Sequence, residues 1–363
     1  MCYFGFNGTK NVHRDGGDRL DEDSLMALLV PEMMEQAAER YELLRQIALT
    51  QPVGRRLLAV QSKLTERVVR GHVEAMERSG LVTIQAVGIR LTPKGEQVLA
   101  PLSRYFMKRP SFAEQERQLT EILSMKQVIL VRGDMDQNPA VKQSVGQEAA
   151  LALARRLRNG QILAVSGGTT MAALAAALPR LSLDVTVVPA RGGFGEKIEY
   201  QANTVAAVTA EKIGGTYRML HIPDGFSSAL IDRLREESPD LVEIESLIHR
   251  ADILAIGVGE ANRMAQRHQL ESGRKNRLMT EGACGEALGL YADIRGRVLD
   301  RMNNVGIALE ELRSIPHVII AAGGASKGAA ILAMARAGVR GTLVTDEGAG
   351  KEILAIAREE QRH

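Results

Sequence analysis

The chain has 363 residues, 45% hydrophobic and 3% aromatic, with no Trp and a net charge of +2. At about 150 residues per domain, this length suggests two or three domains with sizeable cores. No stretch reaches the ~18–20 apolar residues of a membrane span, the start of the chain is polar rather than a signal peptide, and Cys2 and Cys284 lack metal-ligand spacing, so a cytoplasmic protein without metal or cofactor is expected.

Residues 1–30 show little periodicity and read as a flexible tail. After them Met34, Ala37, Tyr41, Leu44 and Ala48 step by three and four, which predicts a helix with one apolar face ending near Thr50-Gln51-Pro52. A short helix follows at 55–60, then a turn at Ser62-Lys63-Leu64-Thr65. Thr65 suits the cap of a further helix, with Glu66 in its first turn facing the positive end of the dipole. Val68, Val69, Val73 and Met76 give that helix an apolar side, and Ser79-Gly80 ends it. Strands at 81–85 and 89–91 flank a Val87-Gly88 turn, and Thr92-Pro93 starts another helix. Helix, helix, turn, helix, hairpin, helix is a winged helix-turn-helix, with bounds at 31–108. Residues 31–109 carry 13 Lys/Arg against 8 Asp/Glu, a net of +5 that leaves the remainder at −3, the balance expected of a DNA reader joined to a sensor.

A recognition helix lies in the major groove with its first residues near base edges. Arg67 and Arg70 are three apart and share a face, and Arg can pair bidentately with guanine. Arg55, Arg56 and Lys63 suit phosphate contacts, and Arg90 lies on the wing. Any one of these charges could equally belong to a solvated helical face; cap, hairpin and basic helix together favour DNA.

Residues 109–126 read as a helical linker broken at Pro110. From 127 to 363, β-rich runs at 128–131, 162–165, 185–188, 253–256, 318–321 and 342–344 alternate with helical ones. This is the pattern of a doubly wound, mostly parallel α/β domain with helices on both faces. Ligands of such sheets bind beyond the C-terminal ends of the strands.

Three loops at those ends suit a phosphorylated small molecule. Ser166-Gly167-Gly168-Thr169-Thr170 joins a strand to a helix, where glycines allow close backbone approach and the helix start favours an anion. Gly323-Gly324-Ala325-Ser326-Lys327 does the same and adds a cation at a helix start, a position that gains nothing from the dipole and for which an anionic partner is the natural explanation. Pro189-Ala190-Arg191-Gly192-Gly193 offers a guanidinium. The plainer reading is that the glycines serve tight turns. Glu260 after Gly257-Val258-Gly259, together with Gln201, Asn203 and Glu286, could accept sugar hydroxyls, and Arg267 could reach a phosphate. Met264 reads as core.

Several motifs are specific. Pro52-Val53-Gly54-Arg55-Arg56 and Thr65-Glu66-Arg67-Val68-Val69-Arg70 resemble the DNA-binding domain of the glycolytic-gene regulators in the SorC family. Ser166-Gly167-Gly168-Thr169-Thr170, Gln201-Ala202-Asn203-Thr204, Gly282-Ala283-Cys284-Gly285-Glu286-Ala287, Ala322-Gly323-Gly324-Ala325-Ser326-Lys327 and Val344-Thr345-Asp346-Glu347-Gly348-Ala349 resemble that family's sugar-binding domain. The resemblance spans roughly residues 31–363. It implies a repressor of glycolytic genes, a dimer or tetramer on operator DNA, and a sensor fold similar to sugar-phosphate isomerases. It also implies fructose-1,6-bisphosphate as inducer, held by the 167–170 loop, Arg191 and the 323–327 loop, with Arg267 and Glu286 as further contacts.

Two other functions would use the same parts. A sugar-phosphate isomerase-like enzyme fused to a DNA-binding module would need acid/base groups; related glucosamine-phosphate isomerases carry Asp-Gly-His after the Gly-x-Gly loop, whereas Glu260-Ala261-Asn262 stands here, with no partner for Glu260. No catalytic residue is therefore expected. An RNA-binding or scaffold role is disfavoured because the basic helix lacks aromatic neighbours for base stacking.

Overall fold

A computed structural model describes residues 29–62, 64–107, 110–193, 197–222 and 225–362. The expected tail therefore falls almost wholly outside the described residues, as does Lys63. The chain divides into two compact units, meeting at Pro110/Ser111. No described helix is long and apolar enough to cross a membrane.

The first unit contains α1 (Pro31–Thr50), α2 (Arg55–Ser62), α3 (Glu66–Arg78), the hairpin β1 (Val82–Gln85) and β2 (Gly88–Leu91), and α4 (Pro93–Met107). Leu43, Leu44 and Ile47 of α1, Leu58 of α2, Val69, Val73 and Met76 of α3, and Val82 and Ile89 of the hairpin form one buried cluster. Each such side chain contributes about 1.5–3 kcal/mol by leaving water, which fixes α3 with its apolar face inward and its Arg side chains outward. The buried face of α1 is rotated from the expected one: Leu43 and Ile47 are fully covered, while Ala37 and Ala48 are only partly so.

The second unit opens with α5 (Pro110–Ile122). This segment, expected as a linker, buries Phe112 and Leu119 in the second unit's core. Seven strands then form one parallel sheet in the order β3 (Gln127–Val131), β13 (Thr342–Asp346), β12 (His317–Ala321), β7 (Ile253–Ile256), β4 (Gln161–Val165), β5 (Val185–Pro189) and β6 (Thr216–Tyr217). Strand side chains alternate between two apolar layers. Ala164, Leu254 and Ile320 point to one, Leu163, Ala255 and Ile319 to the other, as expected for a sheet covered on both faces. One layer is closed by α6 (Ala140–Ala154), α7 (Thr169–Ala177) and α8 (Ala202–Ile213). The other is closed by α5, α9 (Ser228–Glu237), α10 (Pro239–His249), α13 (Gly328–Ala337) and α14 (Glu347–Glu360).

A feature without a counterpart in the sequence reading is a small antiparallel sheet, ordered β11 (Val298–Arg301), β10 (Leu290–Asp293), β9 (Ala283–Ala287) and β8 (Gly259–Glu260). Its strand β8 precedes α11 (Ala261–Arg267) and α12 (Ser272–Thr280), the other three follow them, and the sheet carries Glu286 and Tyr291.

Candidate functional site

The strand order reverses between β4 and β7: β4 leads outward to β5 and β6, β7 to β12 and β13 on the other side. A crevice opens at such a reversal, beyond the C-terminal strand ends. Because β4, β5, β7 and β12 are parallel, the loops that follow them share this edge. One cavity there is lined by Gly167, Gly168, Thr169, Thr170, Arg191, Gln201, Arg267, Glu286 and Lys327, all expected from sequence, and by Tyr200, Met264, His268 and Leu288.

The glycines of the β4–α7 loop have structural reasons to be glycine. A Cβ on Gly167 would lie 2.5 Å from the Tyr200 carbonyl oxygen, and Gly168 has φ of 115°. The Gly168 N–H donates to that same carbonyl (2.8 Å), so it is spent on the turn. Ser166 Oγ accepts from the Gly257 N–H (3.2 Å) and ties the β4 and β7 loops together. The anion-binding capacity lies one step further on. With Gly168 as cap residue, no side chain caps α7, and its first residues Thr169, Thr170 and Met171 line the cavity at the positive end of the helix dipole.

Three cations come from separate elements. Arg191 follows β5 and is nearly buried; its Nη1 lies 3.2 Å from Glu286 Oε1 on β9, with both side chains under a tenth exposed. Glu286 Oε1 also accepts from the Gly289 N–H (2.7 Å), which holds the carboxylate in place. Arg267 ends α11. Lys327 ends a short 3-10 turn, Ala325–Lys327, that leads into α13. Burial lowers the Lys327 pKa, repulsion from Arg263, Lys142 and Arg267 lowers it further, and Asp136 opposes them.

The rest of the Lys327 loop is arranged otherwise than its sequence suggests. The Gly324 N–H donates to Asp346 Oδ2 (2.7 Å), the Ala325 N–H to Asp134 Oδ1 (3.2 Å) and the Ser326 N–H to Asp136 Oδ2 (2.8 Å). Protein carboxylates occupy the donors that were expected to face a phosphate, and Gly324, Ala325 and Ser326 do not line the cavity. Burial raises the Asp346 pKa against the N–H groups of Ala349, Gly324 and Met135. Glu260 also stays off the cavity wall; it is the cap residue of α11 and pairs with Gly285 in the small sheet. Asn203 latches the backbone of Leu220, donating to its oxygen (2.9 Å) and accepting from its N–H (3.0 Å).

His268 was not singled out from sequence. Its Nδ1 lies 2.8 Å from the Tyr291 hydroxyl, and burial, then Arg191 and Arg267, push its pKa down to about 3. Burial and the Glu286 charge push the Tyr291 phenol up, so it stays protonated. Cys284 is pushed up to about 11 by burial and is a poor nucleophile. Among the described residues, no group of three or more His, Cys, Asp and Glu side chains is placed to hold a metal.

On the first unit, Thr65 Oγ1 accepts from the Val68 N–H (3.4 Å) and caps α3. Arg67 and Arg70 are exposed on that helix; Arg70 lies 3.8 Å from Glu74. Arg56 lies 3.1 Å from Glu66, the half-buried Arg55 leaves its Nε without an acceptor, and Arg90 is exposed on β2.

A winged helix with a basic helix facing outward, and a separate α/β unit with a cationic cavity at its strand-order reversal, define a DNA-binding regulator with a small-molecule sensor. Two family models match: the "CggR N-terminal DNA binding domain" over residues 37–106 and the "Putative sugar-binding domain" over residues 111–355. The chain belongs to the SorC family of sugar-binding transcription regulators. It is 38% identical over 328 residues to the central glycolytic genes regulator of Bacillus subtilis (strain 168), covering 90% of this chain and 96% of that protein. It is 39% identical over 329 residues to the protein of the same name from Priestia megaterium, with the same coverage. The crystal structure of the "putative SorC family transcriptional regulator from Enterococcus faecalis" superposes with a TM-score of 0.62 at 34% identity, over 66% of this chain and 99% of that one. The full-length sorbitol operon regulator SorC from Klebsiella pneumoniae shares the fold, with a TM-score of 0.60 at 19% identity over 86% of this chain and 97% of that one.

Proposed function

We propose that this protein is a cytoplasmic, homo-oligomeric repressor of glycolytic genes whose hold on operator DNA weakens when a phosphorylated sugar, fructose-1,6-bisphosphate, fills the cavity at the β4/β7 reversal. The observation that carries this reading is the convergence of Arg191, Arg267, Lys327 and the uncapped start of α7 on one cavity. That set suits an anion with more than one phosphate. The names of the two relatives that share 38–39% identity support glycolytic genes as the target.

Arg67 and Arg70 read bases from the start of α3, and Arg55, Arg56, Lys63 and Arg90 contact phosphates. The effector binds one sensor conformation more tightly and shifts the balance towards it, with a coupling of about 1–3 kcal/mol, or roughly 5- to 150-fold in operator affinity. The sensor is not a catalyst in this reading. Glu260, the base an isomerase would use, is off the cavity wall, and Glu286 is held by Arg191 and Gly289.

The test is an operator gel shift at fixed salt, titrated with fructose-1,6-bisphosphate, fructose-6-phosphate and glucosamine-6-phosphate. Release by the bisphosphate at the lowest concentration is expected. Release by none of them, or turnover of any of them by the purified protein, overturns the reading.

A further inference from the structure

We infer that Tyr291, which does not itself line the cavity, fixes the tautomer of His268 so that His268 Nε2–H donates into the effector cavity, making this ring a specificity-determining contact for an oxygen of the bound ligand. The inference rests on the effector reading above.

Tyr291 is fully buried on β10, and a buried phenolic O–H seeks an acceptor. Its one hydrogen-bond partner among the described residues is His268 Nδ1, 2.8 Å away. The phenol therefore donates and Nδ1 accepts. Burial beside Arg191 and Arg267 keeps the ring neutral down to about pH 3, so its single proton resides on Nε2. His268 lines the cavity. Its Nε2 has no protein partner among the described residues, yet it is not one of the solvent-inaccessible orphan atoms, so it is open to a ligand.

The cavity thus holds one uncharged, oriented donor among three cations. A phosphate is attracted by the cations from any direction. The His268 N–H instead requires an acceptor at one place, such as a hydroxyl or phosphate oxygen of the sugar, and its contribution does not titrate between pH 5 and 8.

The test uses the full-length protein and two probes, fructose-1,6-bisphosphate and inorganic phosphate, in titration calorimetry. Tyr291→Phe is expected to weaken bisphosphate binding about 2- to 12-fold, the worth of one hydrogen bond. His268→Gln, which restores an N–H donor, should bind the bisphosphate more tightly than His268→Ala. In ¹⁵N NMR of histidine-labelled wild-type protein, the His268 ring should be neutral and Nε2-protonated from pH 5 to 8, and in Tyr291→Phe the two tautomers should mix. An Nδ1-protonated or charged ring in the wild type, or a Tyr291→Phe protein that binds as the wild type does, overturns the inference. If the wild type binds neither probe, the effector reading fails separately, and the ring's proton position still decides whether Tyr291 orients it.

Discussion

Replacing Lys327 with Met tests the effector site with two effects of opposite sign. The Lys327 ammonium is largely withdrawn from water, repelled by Arg263, Lys142 and Arg267, and has no carboxylate within ion-pair distance among the described residues. Its charge therefore costs the unliganded fold stability, and Met fills the same volume without it. A hydrogen bond to a charged group is worth about 1.5–3 kcal/mol, so losing the ammonium should weaken fructose-1,6-bisphosphate binding roughly 10- to 150-fold. The empty protein should melt at a higher temperature. The pH dependence follows from the lowered pKa: between the folded and unfolded values the unfolded chain binds more protons, so stability rises with pH there. The cost of the buried charge is thus complete below the folded pKa, falls as the pH climbs above it and is gone only above the unfolded value, and the advantage of Met shrinks alongside. Calorimetric titration and thermal melts across pH measure both effects. Unchanged bisphosphate affinity, or a lower melting temperature for the empty variant, would refute the reasoning.

Arg67→Ala should lower operator affinity by about 1–3 kcal/mol, the worth of a bidentate base contact, and leave bisphosphate binding intact; gel shift and calorimetry on one preparation check this. Glu286→Gln removes the carboxylate 3.2 Å from the buried Arg191 guanidinium and should cost about 3 kcal/mol, roughly 6–12 °C in the melt of a unit this size. That loss should shrink at saturating bisphosphate, because the ligand supplies the missing negative charge. Gly167→Ala drives a Cβ to 2.5 Å from the Tyr200 carbonyl, so the 198–201 turn must move; a loss of about 1–3 kcal/mol and a blunted effector response in the gel shift are expected.

The winged helix and the large sheet were legible because both rest on local signals. Thr65 caps, Pro93 starts a helix, and runs such as Ile162-Leu163-Ala164-Val165 are short, apolar and bounded by Gly or polar residues. The small antiparallel sheet was not, since Ala283-Cys284-Gly285-Glu286-Ala287 has little intrinsic strand preference and is held by its pairing with β10 and β8. The cavity's cations could be nominated one by one, each beside a strand end. The fate of the Gly324, Ala325 and Ser326 amides could not, because two of the carboxylates that engage them lie 190 and 191 residues away in sequence. His268 is one of seven His and has no local mark; only the fold brings Tyr291 to its ring.

Arg191, Arg267 and Lys327 arrive on three different elements, so the scaffold, with Glu286 beside Arg191, gathers their positive charge at one cavity. On the proposed reading, orthophosphate and nucleotides would compete for the same charges, and sensing would become an exchange in which the effector displaces smaller anions. If a sugar bisphosphate is the effector, as proposed, the concentration at which the gene responds would follow the ratio of that metabolite to background phosphate, and a change in phosphate supply alone would retune it.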